Sequence, residues 1–355
     1  MSSETMREML RGLDNTAGVS GRERAVGLKL REFLDGYCDE SREDALGNFI
    51  FRKRGDGPKV LLAAHMDELG FVVSFIEENG MLRMVPAGWH DDRMVVDQDV
   101  LIHTRKGDLQ GVTGSKPSHI LTAEETSRAI PMKDIYIDVG TKSRAESEAL
   151  GVHVGDVVSF DRAGHFLNGT DVYTGKSIDN RAGCAVMAEV MRRIAKEGGS
   201  RVDLYAAGTV QEELGFRGAG AVATRVQPDY ALILDVALAG GSPDIPENLL
   251  PIKLGAGAAV TVYHWWNDGP WGNSVPQSLV DGIVGAAETN GIPCQLDVTM
   301  GTATDGYPIA TSGQGVLTGG ISIPTRYIHT AVGILDFRDV CAAADLTTAW
   351  IRSLG

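Results

Sequence analysis

The chain of 355 residues carries 33 Lys and Arg against 47 Asp and Glu, a formal net charge of −14 that repels phosphate backbones and anionic membranes, so neither nucleic acid nor a membrane is an expected partner. At roughly 150 residues per domain the length suits about two domains, and 43% hydrophobic with 23% charged residues is ordinary globular composition. Cys38, Cys184, Cys294 and Cys341 show no paired spacing, the N-terminus has no signal-peptide core and no apolar run could span a bilayer; a cytoplasmic protein without disulfides or a thiolate zinc site is expected.

Met6, Leu10 and Leu13 at helical spacing predict a first helix, broken at Gly18 and Gly21, and a second is predicted over 23–33. Apolar runs at 48–51 and 60–64 follow, the latter leading into His65-Met66-Asp67. Over 70–160 short strand-like runs (71–76, 81–85, 100–104, 135–139 and 157–160) alternate with turns, with one helical patch at 143–150. Closely spaced strands with little helix predict a small β-barrel or sandwich. Beyond 165, helices (180–195, 279–289, 337–351 and a start at 215–224) alternate with strands (202–207, 231–234, 295–299, 316–323). The alternation predicts an α/β fold with a doubly wound, mostly parallel sheet. One domain would comprise 1–68 and 165–355, interrupted by a β-rich insert at 69–164.

Such sheets present their sites at strand carboxyl ends, which singles out the polar residues that follow apolar runs. In VLLAAHMDELG, His65 and Asp67 fall on one face at a strand's period of two. That suits a metal-ligating His steadied by an acid, and equally an ordinary hydrogen-bonded pair. Asp179 in GKSIDNRAG stands at a loop-to-helix junction, where it either caps the helix or reaches a cation. In YAAGTVQEELGF a strand runs directly into Glu212 and Glu213. Neighbouring carboxylates repel unless solvated or shared with a cation. Because consecutive side chains diverge, one can ligate a metal while the other faces a water. Asp235 ends the buried run ALILDV, and His329 follows GGISIPTRYI. Two His and three carboxylates (His65, Asp179, Glu213, Asp235 and His329, with Glu212 to spare) suit two borderline divalent cations such as Zn, Co or Mn. Trp265, Trp266 and Trp271 in YHWWNDGPWGN read either as packing or as an aromatic wall beside a pocket, and His119 in SKPSHI reads either as a functional or as an ordinary surface histidine.

AHMDELGF, SIDNRAG, QEELGFRGA, LILDVA and IPTRYIHT, in this order, resemble the tetrahedral (TET) aminopeptidases, metallopeptidase family forty-two of clan MH. The likeness continues through GVTGSKPSHIL, DIYIDVGTKS and GVHVGDVVSF in the insert, so it covers nearly the whole chain. It implies an exopeptidase domain with an inserted β-barrel used in oligomerisation, and dimers that assemble into dodecamers. By the resemblance His65 and Asp235 would hold one metal, Glu213 and His329 the other, with Asp179 between them. Glu212 would be the general base and Asp67 the acid that orients His65. The chain departs from the family at Gly306, where Ala is usual, at Gly333, where Glu is usual, and in the Trp-rich segment. The expected function is di-metal-dependent removal of N-terminal residues from short peptides. The alternatives are hydrolysis of a small non-peptide amide by the same site, and a non-catalytic assembly or binding protein on the same fold.

Overall fold

A computed structural model describes residues 3–267 and 269–355. At its centre four strands run parallel in the spatial order Asp203–Thr209, Lys59–His65, Tyr230–Leu238, Leu317–Arg326. Their sequences are almost uninterrupted apolar runs because both faces are covered. The period of two divides the run at 60–64 between two cores. Val60, Leu62 and Ala64 pack beneath helices Ser3–Asp14, Arg24–Leu34, Ile178–Lys196 and Phe337–Ser353. Leu61 and Ala63 pack on the other face with Ala219, Val222 and Ile309, from helices Arg217–Val226 and Gly306–Ala310. Leu62 is fully buried, and truncating such a residue to Ala costs about 2–5 kcal/mol.

Parallel register is confined to this centre and to the pair Ala258–Trp265 with Cys294–Met300. The flanking strands are antiparallel: Glu40–Glu43 and Phe49–Lys53 on one side, Gly333–Asp336, Val172–Gly175 and His165–Phe166 on the other. Several of these carry no pattern readable locally. Glu40–Glu43 is a largely exposed edge of charged residues, held as a strand only by the ladder it makes with Phe49–Lys53. The Trp-rich segment likewise splits into the end of one strand and the short return strand Gly272–Ser274.

The chain leaves the sheet after Glu68 and returns after Phe160. Between these points six strands close into an antiparallel barrel: Gly70–Ile76, Leu82–Ala87, Tyr136–Asp138, Gly107–Gly114, Asp99–Thr104 and Val157–Phe160. Its own core includes Phe71, Val73, Leu82, Ile102, Ile137 and Val158. The helical patch expected at 143–150 is the helix Arg144–Leu150, with Ser143 accepting the Glu146 N–H at its start and Gly151 at φ +114° ending it. Among the described residues no helix is long and apolar enough to cross a membrane.

Candidate functional site: a His and carboxylate cluster at the sheet's carboxyl edge

His65 is the last residue of the strand Lys59–His65, and Asp235 lies in the neighbouring strand Tyr230–Leu238. Glu212 and Glu213 follow Asp203–Thr209, and His329 follows Leu317–Arg326. All therefore gather at the carboxyl ends of the parallel strands, where side chains escape the packed layers. Asp179 comes from the opposite direction, at the start of Ile178–Lys196. That helix is irregular at its first turn, with Asp179 at φ −80°, ψ 103°, and it is Asn180, not Asp179, whose Oδ1 accepts a first-turn N–H, that of Gly183 at 3.0 Å. Capping is thus not what Asp179 does. Its Oδ1 lies 3.0 Å from His65 Nε2 and its Oδ2 lies 3.4 Å from His329 Nε2, so one carboxylate spans two imidazoles.

The remaining acids surround this axis. Asp235 Oδ1 is 3.8 Å and Glu212 Oε2 4.0 Å from His65 Nε2, while Glu213 Oε1 is 3.6 Å from His329 Nε2. Two sets of donor atoms lie mutually within 4.8 Å: His65, Asp179 and Glu213, and His65, Glu212 and Asp235. Both are N/O sets of the kind that holds a divalent metal. Cys184 is buried beneath His65, but its Sγ donates to the His65 carbonyl at 3.2 Å and burial pushes its thiol up to about 12, so it offers no thiolate.

Burial and repulsion set the electrostatics. Burial, opposed by His65 and reinforced by Glu213, pushes Glu212 well above the ordinary carboxylate range. Burial, opposed by His329 and reinforced by Asp179, lifts Glu213 to about 7. Asp235 rises to about 8 for the same kind of reason, with His65 opposing and Asp179 reinforcing. Asp179 moves down instead, because the two histidines outweigh its own burial. Burial works against the charged form of His329, yet Glu213 and Asp179 raise it to about 9. So many acids packed out of water repel one another unless protons or cations are shared among them.

A second layer of contacts holds these side chains in place. Asp67 is fully buried, and its carboxylate does more than face His65 Nδ1 at 3.4 Å. It also accepts the backbone N–H of Glu212 at 3.0 Å, that of Glu213 at 3.1 Å and the Ser20 hydroxyl at 2.6 Å. The Glu pair is therefore pinned by its backbone while its side chains stay free. Gln211, Phe216, Tyr327 and His329 all have positive φ, which for non-glycine residues stores strain at the loops carrying the site.

Sequence reasoning missed three contributors. The barrel loop brings the Trp89 carbonyl to His329 Nδ1 at 3.0 Å. Asp305 is buried near Glu212, accepts from the Thr209 hydroxyl, and leaves Oδ1 without a hydrogen-bond partner. Glu68 pairs with Lys176 and lies 3.7 Å from Arg181 in a buried ion cluster beside Asp67. A backbone carbonyl has no sequence signature, whereas Glu68 adjoining Asp67 was visible but unremarkable. His119 stands exposed in the short turn Ser118–Ile120.

Asp179 and His329 line a partly open cleft that Gly333 also lines. None of the described residues of the Trp-rich segment lines it, and Trp271 packs edge-on against Phe216, with ring centroids 6.4 Å apart. Gly306 lies away from it too, close against Asn273 and Thr304.

The fold recurs in known proteins. An aminopeptidase from the archaeon Desulfurococcus kamchatkensis superposes with a TM-score of 0.93 at 34% identity, over 99% of this chain and 95% of its own. The lysyl aminopeptidase of Pyrococcus furiosus is 32% identical over 98% of this chain and 97% of its own length. A TET1 peptidase of Pyrococcus horikoshii, which can assemble into a tetrahedron or a large octahedral shell, matches with a TM-score of 0.84 at 28% identity, over 97% and 98%. The protein is accordingly an aminopeptidase, a hydrolase of peptide bonds. Residues 47–346 match the M42 glutamyl aminopeptidases, and the chain belongs to that family.

Proposed function

We propose that the protein removes N-terminal residues from short peptides with two divalent cations, of the Zn, Co or Mn type. His65 and Asp235 would hold one, Glu213 and His329 the other, and Asp179 would lie between them. The observation that carries this reading is the Asp179 carboxylate, one oxygen on each histidine at 3.0 and 3.4 Å. The donor chemistry supports it: the clustered atoms are N and O only, with Asp235 beside His65 in one group and Glu213 beside Asp179 in the other, and His329 Nε2 lies 3.4 Å from Asp179 and 3.6 Å from Glu213. When bound, such cations polarise the scissile carbonyl and acidify a water.

The chain's own residues supply the rest. Asp67, facing His65 Nδ1, keeps the other ring nitrogen turned to the cluster, as the Trp89 carbonyl does for His329. Glu212, which burial and Glu213 push toward holding a proton, takes the proton of the attacking water on its carboxylate and passes it to the leaving amine. Glu213, on the same pinned backbone, is a ligand because it faces His329 and Asp179.

Assembly belongs to the same reading. The barrel, within the insert 69–164, would mediate oligomerisation, with dimers building a dodecamer; the shell formed by the Pyrococcus horikoshii relative supports this. The deciding experiment is Glu212→Gln: metal content should be retained while turnover of a dipeptide falls by at least about 10²-fold, the lower range for a lost general base. Loss of metal instead would exchange the roles of the adjacent glutamates.

A further inference from the structure

We propose that the cleft beside Asp179 and His329 receives the side chain of the substrate's first residue and selects a neutral, apolar one. The proposal rests on the reading of Asp179 and His329 as part of the reacting centre. The cleft is partly open to solvent and adjoins both residues, so the group that enters it is the one next to the scissile bond. Leu69 and Phe160, at the two junctions of the barrel, line it together with Ile178 and Ile328, and Gly175 and Gly333 line it without a side chain.

Besides His329, which the proposed reading places on a cation, two charged side chains line this cleft among the described residues. Asp179 lies at the end nearest the histidines. Lys176 is the other, and its ammonium is spent on Glu68, in a pair whose side chains are only 5% and 2% exposed. A glutamate or aspartate side chain could use that cation only by displacing Glu68, which would then be a buried carboxylate without its closest partner. A lysine or arginine side chain would find no carboxylate beyond Asp179 to replace its lost hydration. An apolar side chain incurs neither penalty and covers the isoleucine, leucine and phenylalanine surfaces.

Gly333 sets the depth. A Cβ built there stands 3.5 Å from the Gly175 carbonyl oxygen and 3.5 Å from Ile178 Cδ1, ordinary contact distances. The backbone therefore accepts a side chain at this position, and a longer one grows toward two residues that line the cleft. Gly333 is thus the position whose size decides how large a substrate side chain fits.

The test uses the full chain loaded with Zn or Mn and the 4-nitroanilides of Leu, Phe, Ala, Glu and Lys. Leu and Phe should exceed Glu and Lys in kcat/KM by about 10-fold or more, a modest demand given that one methylene in an apolar pocket is worth about that. Gly333→Leu should lower the Leu-to-Ala and Phe-to-Ala ratios by about 10-fold. Calorimetry needs no variant: free L-leucine and L-phenylalanine should bind the wild-type protein more tightly than L-glutamate or L-lysine. If anilides are cleaved with Glu or Lys preferred, or if folded Gly333→Leu leaves both ratios unchanged, the cleft assignment is wrong while the catalytic reading survives. If no anilide is cleaved by metal-loaded protein, the reading beneath it fails and the assignment with it.

Discussion

His329 Nδ1 lies 3.0 Å from the main-chain carbonyl of Trp89, a residue 240 positions away in the barrel loop. The nitrogen that donates to this carbonyl keeps its proton, so Nε2, which faces Asp179 and Glu213, is the one that can exchange its proton for a cation. The barrel is in this way part of the site: it orients one of the two histidines.

The first prediction tests that contact through Gly88. This glycine has φ +90°, and a Cβ there would sit 2.2 Å from Leu69 Cδ2 and 3.3 Å from Glu213 Cβ. Gly88→Ala should shift the loop, remove the carbonyl from His329 and lower metal affinity by about 10–100-fold, the usual effect of losing a ligand's outer partner. Trp89→Ala keeps the carbonyl and removes a ring that is 63% exposed, so its affinity should stay within about 3-fold. Equal affinities for the two variants, measured by competition with a chromogenic chelator, would remove the barrel from the site.

Asp67 should be more costly to lose than any of its partners. Asp67→Ala leaves the Glu212 and Glu213 N–H groups and the Ser20 hydroxyl without their buried acceptor, each worth about 1–3 kcal/mol. Both metal affinity and kcat should fall, whereas Ser20→Ala, which removes a single bond, should change kcat by less than about 10-fold. A normal kcat in Asp67→Ala would show that the Glu pair holds its own position.

Asp179→Asn separates bridging from capping. The first turn of its helix takes no side-chain bond from Asp179, so the variant should melt within a few degrees of the wild type when both are metal-free. Its metal content should drop sharply, because one of the oxygens facing the two histidines becomes an amide. Retention of two metals per chain by elemental analysis would contradict the bridging role.

The metal-free protein should lose stability as pH rises from about 6 to 9. Glu213 at about 7, Asp235 at about 8 and His329 at about 9 all bind protons more tightly in the fold than in the unfolded chain. Groups raised in this way stabilise below their unfolded values, and that contribution disappears as pH climbs through the folded ones. Asp179, moved the other way, acts only at lower pH. Divalent cations should replace those protons, so Zn binding should tighten with pH and release protons at pH 7. Thermal melts with and without chelator across this window check both statements. A metal-free Tm that rises with pH would mean the acids are not packed as described.

The assembly should be visible by native mass spectrometry. A dodecamer that dissociates to dimers on dilution or chelation fits the proposal. A monomer at micromolar concentration would exclude it.

What the sequence determined by itself is chemical and local. Apolar runs that lead into polar residues marked His65, Glu212, Asp235 and His329 as candidates, because burial of a run is a short-range consequence of the strand's period, although Asp235 lies within Tyr230–Leu238 and not at its end. The alternation of helix and strand determined the α/β class in the same way. Only the tertiary structure decided what depends on distant partners. Asp179 reads equally as a cap or as a ligand until its helix is seen to begin irregularly, with His65 and His329 brought to either oxygen from 114 and 150 positions away. The Trp89 carbonyl is a backbone group and leaves no trace in residue identity. Gly333 lines the cleft whereas Gly306 packs against Asn273, a distinction that rests on which strands adjoin. Edge strands such as Glu40–Glu43 take their conformation from the ladder beside them, since their own charged side chains bury nothing that would specify it.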